Sequence, residues 1–259
     1  MSSKIQHFAA KLAEAEVTRV GIDPLTYTDP DITVNEAYHI QLENIKKKVS
    51  EGRKIIGKKI GLTSVAVQNL LGVNEPDYGH LLDTMMIENG GTIFCETMIQ
   101  PKVEGEIAFI LKNDLKGPNI TVLDVLQATD YVVPALEIVD SRIQDWKIKL
   151  QDTVADNASS GFYVIGGKPT KISEINLELI GMALYQNGEV ANTGVGAAVL
   201  GNPAGCVAWL ANRLADYDIS LKAGEVILSG ALSGMVVAKP GETFTARFAH
   251  LGQVSVNFK

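Results

Sequence analysis

The sequence predicts an α+β fold: a helical N-terminal portion, residues 1–55, followed by a strand-rich domain, residues 56–259, rolled into a mixed sheet or distorted barrel. Three observations predict it. Residues 3 to 18 place Ile5, Phe8, Ala9, Leu12 and Ala13 at the three- and four-residue spacing of a helix face. After Gly52 the texture changes to short apolar, β-branched segments separated by turn residues. Within VEGEIAFIL, residues 103–111, side chains alternate as in a strand, with Val103, Gly105, Ile107, Phe109 and Leu111 on one face.

Taken in order, the first helix is followed by GIDPLTYTDPDIT, rich in Pro and Asp and expected to be an extended connection. Thr33 is placed to cap a second helix from about Asn35 to Lys48, ending near Gly52. Strands are expected in KIIGKKIGLT, TIFCE, EGEIAFIL, YVVPALEIV, GFYVIGG, LIGMALYQNGEV, EVILSG, ETFTARFA and QVSVNF. Asn187-Gly188 between apolar runs marks a hairpin. Helices are expected at 122–129, behind a capping threonine, and at 203–216, where Pro203 opens the segment.

The bulk properties narrow the function. A chain of 259 residues holds one large domain, or one domain with a helical extension. The net charge of -7 offers no basic excess to displace phosphate counterions, which argues against nucleic acid as a partner. The basic run Lys46–Lys48 with Arg53 and Lys54 reads as a solvated helix face. Cys95 and Cys206 lie far apart without metal-ligand spacing, which suits a reducing compartment. With no apolar signal core and no run of about 18 apolar residues, a cytoplasmic protein without a membrane partner is expected.

The second face of VEGEIAFIL begins with Glu104 and Glu106 and ends with Ala108 and Ile110, an odd pattern for a merely wet surface. Two carboxylates at i and i+2 share a strand face, and a divalent cation between them relieves their repulsion. Oxygen-only ligands suit Mg²⁺ or Mn²⁺. Glu137, inside the apolar run VVPALEIVD, supplies a third acid. A strand edge open to water is the competing reading. Lys59, beside Ile60 in GKKIGLTS, is a candidate for partial burial and a lowered pKa, or else an ordinary surface lysine. Residues 52–58 match most of a phosphate-binding loop, but Lys59 stands where Ser or Thr is needed on magnesium, and the match is rejected. Asp77 in NEPDYG reads as turn chemistry unless the site recruits it. His80 reads as a surface residue, with a supporting role near Asp77 as the alternative. The glycines of TGVGAAVLGNPAG lack the acidic partner of a dinucleotide fingerprint.

KKIGLTS, EPDYG, QPKVEGEIAFIL, PALEIVDSRIQDWKIKLQDTVADNASSG and the segments from NGEV through LGNPAGCVAWLAN to AGEVILSGAL together resemble the hydratase/decarboxylase group of the fumarylacetoacetate hydrolase superfamily. The likeness runs along nearly the whole chain. It implies a rolled-sheet domain of that type and a Mg²⁺ or Mn²⁺ site at Glu104, Glu106 and Glu137. It also implies a short 2-hydroxydienoate substrate from meta-cleavage of aromatic compounds. Lys59 and Asp77 would be catalytic, Ser159 or Ser160 would bond the substrate carboxylate, and Leu62 and Met235 would contact it. Hydration is favoured over decarboxylation because Asp77 offers a proton acceptor for water. In the loop GALSGMVVAKPGE, Ser233, Gly234 and Met235 also offer no cation to meet a second carboxylate, where relatives that take a longer dicarboxylate look as though they place an Arg. A 4-oxalocrotonate decarboxylase and a non-catalytic partner subunit remain the alternatives. The likeness further implies a homo-oligomer and association with a decarboxylase or aldolase of the same pathway.

Overall fold

The computed structural model describes residues 3–259, so the assignment of residues 1 and 2 to the helical portion lies outside the described residues. Helix α1 (Ser3–Thr18) buries Ile5, Phe8, Ala9, Leu12 and Ala15 against α3 (Val34–Ser50). Thr33 caps α3 as expected: its hydroxyl accepts from Glu36 N at 3.1 Å while Glu36 accepts from Thr33 N at 2.9 Å. The connection between them is not fully extended, because Leu25–Thr28 forms one helical turn, α2. Asp152 holds that turn in place, accepting from Thr26 N at 3.0 Å and from its hydroxyl at 2.8 Å. No helix among the described residues is long and apolar enough to cross a membrane.

The strands follow in chain order as β1 (Ile55–Gly61), β2 (Asp77–Leu82), β3 (Met86–Ile87), β4 (Thr92–Ile93), β5 (Lys102–Leu111) and β6 (Thr129–Val139). Next come β7 (Ser160–Ile165), β8 (Gly181–Gln186), β9 (Glu189–Val195), β10 (Val226–Ala231), β11 (Val236–Val237), β12 (Thr243–Phe248) and β13 (Gly252–Phe258). Between them lie α4 (Val65–Leu71), α5 (Val122–Ala128), α6 (Leu150–Ala155) and α7 (Pro203–Leu214). The larger sheet runs β2-β1-β10-β5-β6-β7-β3, with β11 beside β5; the smaller runs β4-β13-β12-β8-β9. Asn187-Gly188 closes the β8–β9 hairpin, both residues left-handed as that turn requires.

The smaller sheet lies against β5 and β6. Gly105 permits this approach, because a Cβ there would stand 3.0 Å from Met182 Cε and 3.1 Å from its sulfur. On that face Val103, Ile107, Phe109 and Leu111 join a core that also takes in α1, α3 and α7. The opposite face of the same strand continues from the acids into Ala108, which packs with Leu81, Val133, Ala135 and Leu228. The sheet is thus apolar on both sides, and Glu104 and Glu106 enter it from one end.

Two sequence expectations need correction. Asp77, whose setting in NEPDYG reads as turn chemistry, instead opens the buried strand β2. Its neighbour β1 pairs with every residue from Asp77 to Leu82, and the ladder overrides local turn chemistry. Of the segment TIFCE only Thr92 and Ile93 are strand; Cys95–Thr97 turn into a 3₁₀ helix. Helices α4 and α6 had no sequence expectation at all.

Candidate active site

The site begins with a register. In the β5–β6 ladder Glu104 lies directly opposite Glu137, and Glu106 lies opposite Ala135 on one side and Ala231 of β10 on the other. Like charges facing each other across strands repel, so this pairing needs a positive partner. One oxygen from each of Glu104, Glu106 and Glu137 falls within 4.8 Å of the others. Glu106 and Glu137 are fully buried, and Glu104 is half-buried at the edge of a cavity.

Protein donors satisfy this cluster only in part. Glu106 Oε2 accepts from Gly230 N at 2.8 Å. Glu106 Oε1 and Glu137 Oε2 have no hydrogen-bond partner, although both are buried. Gly230 reaches Glu106 because its backbone is left-handed (φ 112°) and because a side chain there would run into Thr63. Orphaned buried carboxylate oxygens are costly, and a hard divalent cation is the partner their chemistry fits.

Lys59 supplies a buried cation beside the acids. It projects from β1, its ammonium 3.3 Å from Glu137 Oε1 and donating to Ala158 O at 3.0 Å. Burial opposes its charge, but Glu137, Asp77, Glu104 and Glu106 together outweigh burial and hold its pKa above the ordinary lysine value. The sequence expectation of a lowered pKa is therefore wrong in direction, because the four acids that decide it come from other strands. Asp77 opens β2 opposite Gly61, and its Oδ2 accepts from the Thr153 hydroxyl at 3.2 Å. Gly61 lets the two groups approach: a Cβ there would lie 3.2 Å from Lys59 Nζ and collide with the Asp77 carboxylate. Burial pushes the Asp77 carboxyl up, with Lys59 opposing.

These groups face a cavity of about 240 Å³. Lys59, Asp77 and Glu104 are its charged walls, and Leu62, Val67, Trp146, Ile148, Leu232 and Met235 its apolar ones. Ser159 lines it from a run of three left-handed residues, Asn157 to Ser159, while Asn157 bonds both the N–H and the carbonyl of His80. Ser160 does not line it; its hydroxyl donates to Asn157 O at 2.8 Å. His80, read as a surface residue, is buried against Gln41 Oε1 at 3.0 Å, and burial lowers its pKa to about 3. Thr153 and Trp146 were missed as cavity residues. Both lie in the long motif IQDWKIKLQDTVADNASSG, where only position within the fold marks them out.

The electrostatics give a pH signature. Burial first, then Glu137, pushes the Glu104 carboxyl up to about 8, and Glu106 and Glu137 are raised as well. A folded chain freed of metal thus holds protons that the unfolded chain has already released near pH 4.5, so its stability falls as pH rises toward 8. His80 works the other way, but only below its ordinary value of 6.5. In EDTA the protein is expected to melt at a lower temperature at pH 8 than at pH 6.5. Saturating Mg²⁺ should shrink that difference, and equal slopes in both conditions would contradict the shared burial of the three acids.

Comparison with known proteins places the chain in a family. Residues 72–259 match the fumarylacetoacetate (FAA) hydrolase C-terminal family. The 2-hydroxyhexa-2,4-dienoate hydratase of Comamonas testosteroni is 48% identical, over 100% of this chain and 99% of that protein. The 2-keto-4-pentenoate hydratase of Paraburkholderia xenovorans is 50% identical, over 97% of this chain and 93% of that protein. Among solved structures, 4-oxalocrotonate decarboxylase from Pseudomonas putida G7, complexed with magnesium and adipate, superposes with a TM-score of 0.97. It is 38% identical, over 100% of this chain and 98% of that one. With an α+β fold of this type, and with relatives half identical along almost their entire length, the chain belongs to the hydratase/decarboxylase group of the fumarylacetoacetate hydrolase family.

Proposed function

We propose that the protein is a divalent-metal-dependent hydro-lyase that adds water to 2-hydroxypenta-2,4-dienoate, giving 4-hydroxy-2-oxopentanoate. The observation that carries this reading is the convergence of three glutamates, two buried with orphaned oxygens and the third, Glu104, lining a small cavity that also holds Lys59 and Asp77. Glu104, Glu106 and Glu137 would hold Mg²⁺ or Mn²⁺. The bound cation supplies Lewis-acid chemistry, drawing electron density from the carboxylate and 2-oxygen of a 2-oxo acid.

The chain's own groups divide the rest. Lys59, kept protonated by the surrounding acids, presents a fixed positive charge and N–H donors to the developing oxyanion. Protonation at C5 converts the dienol to a 2-oxo-3-enoate, water adds at C4, and a proton arrives at C3. Asp77 orients the water and accepts its proton, a role its buried, raised carboxyl suits. Ser159 hydrogen-bonds the substrate carboxylate, and Leu62 and Met235 pack against its carbon chain.

The relatives named for five-carbon substrates, half identical to this chain, and the scarcity of cations in the cavity both favour hydration of a monocarboxylate. Lys59 is the one cation among the residues lining the cavity, and Glu137 already engages it. A second carboxylate, as in 4-oxalocrotonate, finds no cation there. We assign residues 1–55 to a helical portion and 56–259 to the catalytic domain, and place the enzyme in the cytoplasm as a homo-oligomer. An acidic chain with two free cysteines supports that location. Association with the pathway's decarboxylase or aldolase is part of the same reading.

Loss of the conjugated chromophore on incubation with the dienoate tests the proposal. Chelation is expected to reduce turnover by at least about a hundredfold, with recovery on adding Mg²⁺ or Mn²⁺. Carbon dioxide release from 4-oxalocrotonate without dienoate hydration would overturn it in favour of the decarboxylase, and no turnover by the purified chain would favour a non-catalytic subunit.

A further inference from the structure

Lys102, Glu104 and Glu106 stand at alternate positions of β5 and so share one face. The Cα atoms of Lys102 and Glu104 are roughly 6.5 to 7 Å apart on such a strand. A lysine's flexible four-carbon stem spans that gap with ease. Glu104 is also the most exposed of the three clustered acids, the one a stray ammonium reaches first. Lys102 is thus the built-in competitor for this site. Yet among the described residues it forms no ion pair within 4.0 Å. Its ammonium instead sits 4.1 Å from the ring centroid of Trp146.

Trp146 is held for that task by its surroundings. Its indole N–H donates to Gln100 O at 3.2 Å, just ahead of the strand that carries Lys102. Its backbone and that of Asp145 are both left-handed, with φ of 55° and 56°. Non-glycine residues adopt that conformation at a cost, and two in succession imply that the surrounding contacts fix it. The same indole forms part of the cavity wall near Glu104.

We infer that Trp146 is a positioning residue: its indole holds the Lys102 ammonium away from the Glu104 carboxylate, leaving that carboxylate free for a divalent cation. The inference rests on the metal site proposed above, and its test separates the two. Mn²⁺ affinity of the purified protein, read by calorimetry or by the resonance of free Mn²⁺, needs no substrate and no turnover. Trp146→Ala is expected to weaken Mn²⁺ binding about tenfold, because the released ammonium pairs with Glu104. Trp146→Phe keeps a ring face and should stay within about threefold of the parent protein. Lys102→Met alone should bind Mn²⁺ at least as well as the parent. Combining Trp146→Ala with Lys102→Met should restore affinity to within about threefold of Lys102→Met, since the competitor is gone.

Unchanged Mn²⁺ binding by Trp146→Ala would overturn the inference. So would a double variant as weak as Trp146→Ala, since the indole would then act by packing alone. A parent protein that binds no Mn²⁺ would instead overturn the metal site itself, a result visible before any variant is made.

Discussion

Glu106→Gln is expected to abolish the response to Mg²⁺ and to lower kcat/KM by about a thousandfold or more, about 4 kcal/mol of transition-state stabilisation. The substitution keeps shape and can keep the hydrogen bond from Gly230 N, now 2.8 Å long, so the β5–β10 contact should survive. What it removes is one of three carboxylates whose oxygens lie within 4.8 Å of one another. The same loss should stabilise the metal-free protein, because a buried acid repelled by Glu137 and Glu104 becomes neutral. The two effects have opposite signs. Melting in EDTA should rise relative to the parent, and the increment from Mg²⁺ should vanish. A variant that melts lower in EDTA and still gains from Mg²⁺ would show that Glu106 serves the fold and not a cation.

Asp77→Asn should reduce kcat about a hundredfold to ten-thousandfold, the usual range for loss of a general base, while KM moves by less than about threefold. Asparagine keeps an oxygen for the Thr153 hydroxyl, which now donates over 3.2 Å, so the carboxylate's basicity is the main thing lost. Metal binding should persist, because the three glutamates lie on β5 and β6 and Asp77 lies on β2. Steady-state kinetics on the dienoate, with Mn²⁺ affinity measured in parallel, provide the check. Wild-type turnover by this variant would remove Asp77 from the chemistry.

Parts of this architecture are readable one residue at a time. The alternation of VEGEIAFIL, the Thr33 cap and the Asn187-Gly188 turn depend on neighbours within a few positions, and the structure repeats each as read. The meeting of Glu104, Glu106 and Glu137 depends on strand register, yet three acids stranded in apolar runs already hint at it. What stays hidden depends on distant partners. Asp77 carries turn chemistry locally but becomes a strand residue through β1. His80 is buried because Gln41, on a helix, meets it. Lys59 keeps its charge against burial through carboxylates that no local window contains. Helix α6 is short, and its first turn is anchored from outside through Asp152 to Thr26. Ser159 and Ser160 look alike in sequence, and only the left-handed run that ends at Ser159 sends one to the cavity and the other to Asn157.

The pairing of Glu104 with Glu137 makes β-sheet assembly chemically auditable. A slip of two rungs between β5 and β6 would preserve every inward and outward side chain, so greasy patterning alone could not reject it. In the direction that sets Glu104 against Ala135, Glu106 would face Val133 and Glu137 would face Lys102, and the three acids would no longer converge. Such a misthreaded chain could remain compact yet blind to Mn²⁺, which makes ion uptake a sensitive assay for correct refolding.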